Sequence, residues 1–182
     1  MLASAAASAA TYRRLGLPWE TAASLLLATF GSIMLGDTAA ATGSATEAVR
    51  LLTPIGDAWG MVHAEAMLGA IASAEHRFGD AAAALARAAG LSETLGFAGQ
   101  AALHLTTLGR VQQRAGAPGQ ALDTLDRAIR AATAAGDLRI AATARTHLAR
   151  ALRGAGDPTA ARALLAPTTT GTGRPGAGTE PC

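Results

Sequence analysis

Lysine and asparagine are absent from this 182-residue sequence, cysteine occurs once, and aromatic residues make up only 3%. Without lysine there is no GxxxxGK[ST] loop, so the usual phosphate-cradling nucleotide site is excluded. The one cysteine, Cys182, is the final residue. It can close no internal disulfide and has no partner for a thiolate metal site, which fits a reducing, cytoplasmic setting. Scarce aromatic and β-branched aliphatic residues argue against a sheet. The longest apolar stretch, Thr21 to Leu35, has 15 residues and is interrupted by Ser24, Gly31 and Ser32. That falls short of the roughly 20 residues of a membrane span. Met1 to Ala10 lacks a basic leader region, with Arg13 and Arg14 coming after it, so a secretory signal is not expected. All basic residues but histidine are arginine, an expected outcome of GC-rich coding, and the net charge is only +2. So small an excess gives no reason to expect direct nucleic-acid binding.

Alanine is what the chain has in quantity, with 49 residues. Alanine has the highest helix propensity and lets backbones approach closely, but each side chain buries little area. An all-helical fold with thin, tight interfaces is the expectation. The spacing of small residues makes it specific. Gly16, Gly56, Gly96 and Gly136 recur at intervals of 40, the first three after Leu15, Ile55 and Leu95. Asp57 and Asp137 follow two of them. A glycine that ends one helix, followed by an aspartate that caps the next, makes a helix–turn–helix joint. Interior positions keep the same period: Leu68-Gly69, Leu108-Gly109 and Leu148-Ala149; Ala41, Ala81, Ala121 and Ala161; Leu85, Leu125 and Leu165, with Ala45 at that place in the first unit; and Ala48, Ala88 and Ala128. Internal repetition of this kind marks a solenoid.

The order Leu-Gly, small, large, small across two helices resembles the tetratricopeptide (TPR) repeat, over roughly Gly16 to Ala166. The period exceeds the usual 34 residues, and the tryptophan and tyrosine of the family's first helix are missing. Their places hold Glu65 and Ala72, Leu105 and Gln112, and Arg145 and Leu152. The segment Leu15 to Asp37 is also similar to repeats of bacterial maltose-activator-like transcription regulators. These resemblances imply an all-α, right-handed superhelical solenoid of antiparallel helix pairs. They also imply a binding role, as a protein-interaction scaffold or as the sensor array of a larger regulator.

The pattern predicts a half repeat over 1–15 and helix pairs at 18–35/38–55, 58–77/80–95, 98–115/118–135 and 138–155/158–166. Pro18, Pro118 and Pro158 fall at first helical turns, and Asp37, Asp80 and Asp157 are candidate N-caps. By repeat phase, residues 2–15 are the second helix of a unit whose first helix is lacking. Gly69 and Gly109 are expected to face alanines of the paired helix. Residues 167–182 show no apolar periodicity and are expected to be disordered. The GxGxxG of Gly171, Gly173 and Gly176 falls in that tail, with no strand before it.

Catalytic chemistry has little to stand on. His63, His76, His104 and His147 lack metal-ligand spacing. Glu65, Glu75, Asp123 and Asp126 are expected on solvated helix faces, without the convergence that acid–base catalysis needs. No enzyme activity, cofactor or metal is expected. The TPR resemblance implies a concave groove lined by the first helix of each pair. That phase puts Ala23, Leu26, Phe30, Ile33 and Met34 in the groove from the first unit and His63 from the second, so the groove is expected to be apolar at its N-terminal end and basic at its C-terminal end. The third unit contributes Thr106, Arg110, Gln113 and Arg114, and the fourth Thr146, Arg150 and Arg153. Arg110 and Arg150 are equivalent and should be neighbours, suited to bidentate contacts with carboxylates. The expected partner is a protein or peptide with acidic residues. The apolar face around Leu25 to Leu35 could also meet another copy of the chain.

Overall fold

The structure, a computed structural model, describes residues 2–166; the tail and Cys182 lie outside the described residues. It holds α1 (Leu2–Arg14), α2 (Pro18–Leu35), α3 (Thr38–Ile55), α4 (Ala58–Ala74) and α5 (Phe78–Thr94). These are followed by α6 (Ala98–Arg114), α7 (Pro118–Ala134), α8 (Leu138–Gly154) and α9 (Pro158–Leu165). Each helix packs on its predecessor and successor in a serial array of antiparallel pairs. None of these helices is long and apolar enough to cross a membrane.

From α2 onward a helix begins every 20 residues, at Pro18, Thr38, Ala58, Phe78, Ala98, Pro118, Leu138 and Pro158. The chain reverses at a residue in the left-handed region: Gly16, Gly36, Gly56, Gly96, Gly116, Gly136 and Gly156, with His76 (φ 61°) in the remaining place. The joint therefore recurs at half the 40-residue spacing seen in the sequence. The aspartates close it from the other side. Asp37, Asp57, Asp137 and Asp157 each accept a hydrogen bond from a backbone N–H three residues on, at 2.8 to 3.2 Å. Asp80 is not a cap. It lies inside the first turn of α5 and pairs with Arg77. Although the joint at His76 lacks glycine, α4 ends at Ala74, two residues before the left-handed residue as in α5 to α8, and does not run on to 77.

The core is made of leucine against alanine. Leu52, Leu85, Leu105 and Leu125 are all but fully buried, among alanines such as Ala41, Ala81, Ala121, Ala48, Ala88 and Ala128. Gly69 and Gly109 face leucines, not the expected alanines. A Cβ on Gly69 would stand 2.7 Å from Leu85 Cγ, and one on Gly109 would stand 2.5 Å from Leu125 Cγ. The missing side chain is thus a socket for the leucine of the following helix.

Glu65 also departs from expectation. It is buried, and both its oxygens accept hydrogen bonds from Arg87 of α5 at 2.8 Å. Its place is where the TPR pattern has a bulky aromatic, so an ion pair stitches this helix pair where apolar packing would otherwise serve.

Candidate interaction groove

The inner face is formed by α2, α4, α6 and α8. The first two touch each other directly, as do the last two. Arg114 of α6 lies 3.5 Å from Ser73 Oγ of α4, which carries the surface across the middle.

At the α6–α8 end, Arg110, Gln113, Arg114 and Arg150 line one open cleft of about 600 Å³, floored by Pro118 and Ala151. Helical spacing accounts for the gathering. Arg110 and Arg114 are one turn apart on one face of α6, and Arg150 is the 40-residue equivalent of Arg110 on the adjacent helix. Two of the four have internal partners. Gln113 Nε2 donates to the His147 carbonyl at 2.9 Å and ties α6 to α8. Arg114 stacks over the Phe78 ring, 4.7 Å from its centroid, a cation–π contact that fixes the side chain at the cleft's edge. Arg110 and Arg150 are exposed, and among the described residues neither pairs with a carboxylate.

The other sequence-predicted residues lie as follows. Arg153 is exposed on the last turn of α8, outside the cleft lining. Thr146 is exposed, with its hydroxyl donating to the Ala142 carbonyl. Thr106 is buried, and its hydroxyl is bound to the Ala102 carbonyl at 2.7 Å. His63 is in the other half of the groove, edge-on to Trp59 at 4.4 Å between ring centroids.

Charge is segregated. α6 and α8 carry Arg110, Arg114, Arg139, Arg145, Arg150 and Arg153 and no acidic residue. On the outer helices Arg87 pairs with Glu65, Arg127 with Glu93 at 2.9 Å, and Arg130 with Asp126, whereas Arg14 and Arg162 have no carboxylate partner among the described residues. Histidines mark the groove wall. Burial, reinforced by Arg110 and Arg150, pushes the His147 imidazole below the ordinary histidine range. Burial and the nearby His63 do the same to His104. Among the described residues, no cluster of three or more His, Cys, Asp or Glu side chains could hold a metal ion.

The α2–α4 end has the opposite chemistry, and three of the groove positions that phase assigns there, Ala23, Leu26 and Phe30, line it. Ala23, Leu26, Leu27, Phe30, Trp59, His63 and Met67 line a nearly wholly apolar hollow of about 340 Å³. A second hollow, sharing Ala23 and Leu27, adds Tyr12 and Trp19. Trp19 and Trp59 are 40 residues apart, one more instance of the repeat that could have been read. Trp19 Nε1 donates to Asp57 at 2.8 Å, which fixes one indole at the rim.

No family model and no curated protein matches this chain. Solved structures do. A Podosopora anserina putative kinesin light chain with nearly identical TPR-like repeats matches with a TM-score of 0.69 at 16% identity, over 90% of this chain and 91% of that one. The MamA protein matches with a TM-score of 0.63 at 19% identity, over 90% and 87%. BtubC from P. vanneervenii matches with a TM-score of 0.64 at 15% identity, over 90% and 86%. The likeness is one of fold, and it is to TPR-like arrays in general; it does not single out the repeats of transcription regulators.

Proposed function

We propose that this protein is a non-catalytic scaffold that binds an acidic segment of a partner protein along its concave face. The observation that carries the reading is the gathering of Arg110, Arg114 and Arg150 in one cleft between two helices that carry no acidic residue. Among the described residues Arg110 and Arg150 have no carboxylate partner. Composition bias explains the use of arginine but not three guanidinium groups at one cleft. Paired guanidinium groups on neighbouring helices suit bidentate contacts with carboxylates, and the fold provides a long, open surface for an extended peptide. The partner is soluble, and the setting is cytoplasmic. Service as the sensor array of a larger transcription regulator is a narrower form of the same reading. It rests on the resemblance over Leu15 to Asp37, and in-frame repeat coding upstream of Met1 would favour it.

The test uses a fluorescein-labelled peptide with four consecutive glutamates between Gly-Ser flanks, followed by anisotropy. Binding should weaken as salt rises. The double variant Arg110→Ala/Arg150→Ala should lose at least tenfold in affinity, about 1.4 kcal/mol. Unchanged affinity and salt dependence in that variant would remove the reading.

A further inference from the structure

The chain has six aromatic residues, two Trp, one Tyr and three Phe. A protein so poor in aromatics would be expected to bury them. Instead Tyr12, Trp19, Phe30 and Trp59 gather at one end of the concave face, while the core is left to leucine and alanine. Trp19, Phe30 and Trp59 are 46%, 49% and 49% exposed. Exposed aromatics clustered around a hollow, with Leu27 and Met67 beside them, have the composition of a contact hot spot.

This hollow and the basic cleft are joined through α4. That helix bears Trp59, His63 and Met67 of the hollow, and its Ser73 Oγ lies 3.5 Å from Arg114 of the cleft. The ligand that crosses from one end to the other therefore meets apolar chemistry first and positive charge second. We infer that the α2–α4 hollow is a second subsite of the same groove, seating one bulky apolar side chain of the partner about seven residues from its acidic segment. The spacing comes from the helix array. From the middle of the α2–α4 hollow to the middle of the α6–α8 cleft is two steps between neighbouring inner helices, about 20 Å. Trp59 and His63 are in the first half of α4, whereas Arg110 and Arg114 are at the end of α6. That adds about 12 Å along the helix axes. The diagonal is about 23 Å, which seven residues of extended chain cover at about 3.3 Å each. The inference rests on the acidic-peptide reading above, and adds to it an apolar anchor and a register.

The experiment is selection of random 16-residue peptides displayed on phage against the whole protein, with the leading peptide then measured by anisotropy. Selected sequences should pair a bulky apolar residue with at least two acidic residues at a near-constant separation of about seven. Trp59→Ala and, separately, Phe30→Ala should each weaken that peptide at least tenfold without changing its salt dependence. Both side chains are half-exposed, and a circular-dichroism melt verifies that the variants fold. Acidic peptides indifferent to Trp59→Ala and Phe30→Ala would overturn the subsite and leave the acidic-peptide reading standing. Apolar peptides indifferent to Arg110→Ala/Arg150→Ala would overturn that reading and the register with it. No enrichment would sink both. A concentration-dependent dimer in sedimentation that Trp59→Ala dissolves would assign the patch to a second copy, and so also overturn the subsite.

Discussion

The first helix pair, α2 and α3, and the third, α6 and α7, share a starting register and a left-handed glycine joint, yet they fill both their interior and their groove face differently. In the third pair Gly109 receives Leu125; at the equivalent places the first pair has buried Thr29 and Ala45. The bulk has changed sides of the interface while its sum stays similar. On the groove face, Phe30 of α2 stands where α6 has Arg110. Interior positions are thus constrained as pairs, and only the groove positions are free to carry chemistry.

The sharpest way to break the comparison is at the socket. Gly109→Ala drives a Cβ to 2.5 Å from the Cγ of a leucine that is itself fully buried. The expected loss is about 1–3 kcal/mol, read from chemical denaturation. Adding Leu125→Ala should cost less than the two single changes together, because it empties the position that clashes. In the first pair the assignment is reversed, so Ala45→Leu should be the damaging change and Thr29→Gly its partial remedy. Equal tolerance of Gly109→Ala and Thr29→Ala would show that these pairs are not packed in complementary fashion.

The joints offer a smaller effect of opposite sign. His76 holds φ 61° where every comparable joint has glycine. An L side chain pays about 1–2 kcal/mol in that region, partly offset here by the edge contact between His76 and Phe78. His76→Gly should therefore stabilise the protein by up to about 1 kcal/mol, raising its melting temperature; a fall would mean that the ring contact outweighs the backbone strain.

This joint also shows how far the sequence could be read. The 40-residue spacing of Gly16, Gly56, Gly96 and Gly136 was visible because the neighbours of each glycine repeat as well. The alternate joints at Gly36, Gly116 and Gly156 were harder to see, since His76 interrupts their series, although Asp37 and Asp157 follow two of them and Ala115 and Ala155 precede two. The same gap hid the end of α4 and made Asp80 look like a cap. In the groove, phase placed Arg110, Gln113, Arg114 and Arg150 in one cleft. Phase could not tell that Thr106 turns its hydroxyl to its own helix, or that Gly109 opens toward a leucine. Those depend on rotation of one helix against the next, which a periodic pattern fixes only to within a side chain. At the apolar end phase reached Phe30 but not Trp19 and Trp59, which lie in the first turns of α2 and α4, one turn before the earliest position it assigns.

Protonation separates the two groove ends in another way. His104 and His147, on α6 and α8, are both held below the ordinary range, mainly by burial. The unfolded chain then takes up protons that the folded chain refuses, so folding is favoured as pH rises. This contribution is complete above about pH 6.5 and is lost as pH falls through that value. Melting temperature should decline on acidification from pH 7.5 to 5.5, and His104→Gln/His147→Gln should flatten the decline. A profile unchanged by the double substitution would place the proton uptake elsewhere.

The smallest expected effect bears most directly on why the two ends differ. With no ligand, Arg110, Arg114 and Arg150 share an open cleft whose helices carry no acidic residue. Their mutual repulsion is screened by water, so it is worth only about 0.2–0.5 kcal/mol. Arg150→Ala should stabilise the free protein by about that much at low ionic strength. Added salt should erase the gain, because about 0.1 M already shortens the range of exposed charges to about 10 Å. Arg127→Ala supplies the opposite sign. Arg127 donates to Glu93 at 2.9 Å, so its loss should cost a little stability, again salt-dependent. Phe30→Ala at the apolar end should show no salt dependence, since no charge is removed. A groove arginine that destabilises the free fold yet is needed for an acidic ligand is kept for contact, because nothing in the array's packing requires it. If Arg150→Ala and Arg127→Ala shift stability in the same direction, the absence of acidic residues from α6 and α8 has no energetic consequence, and the case for a basic binding end weakens with it.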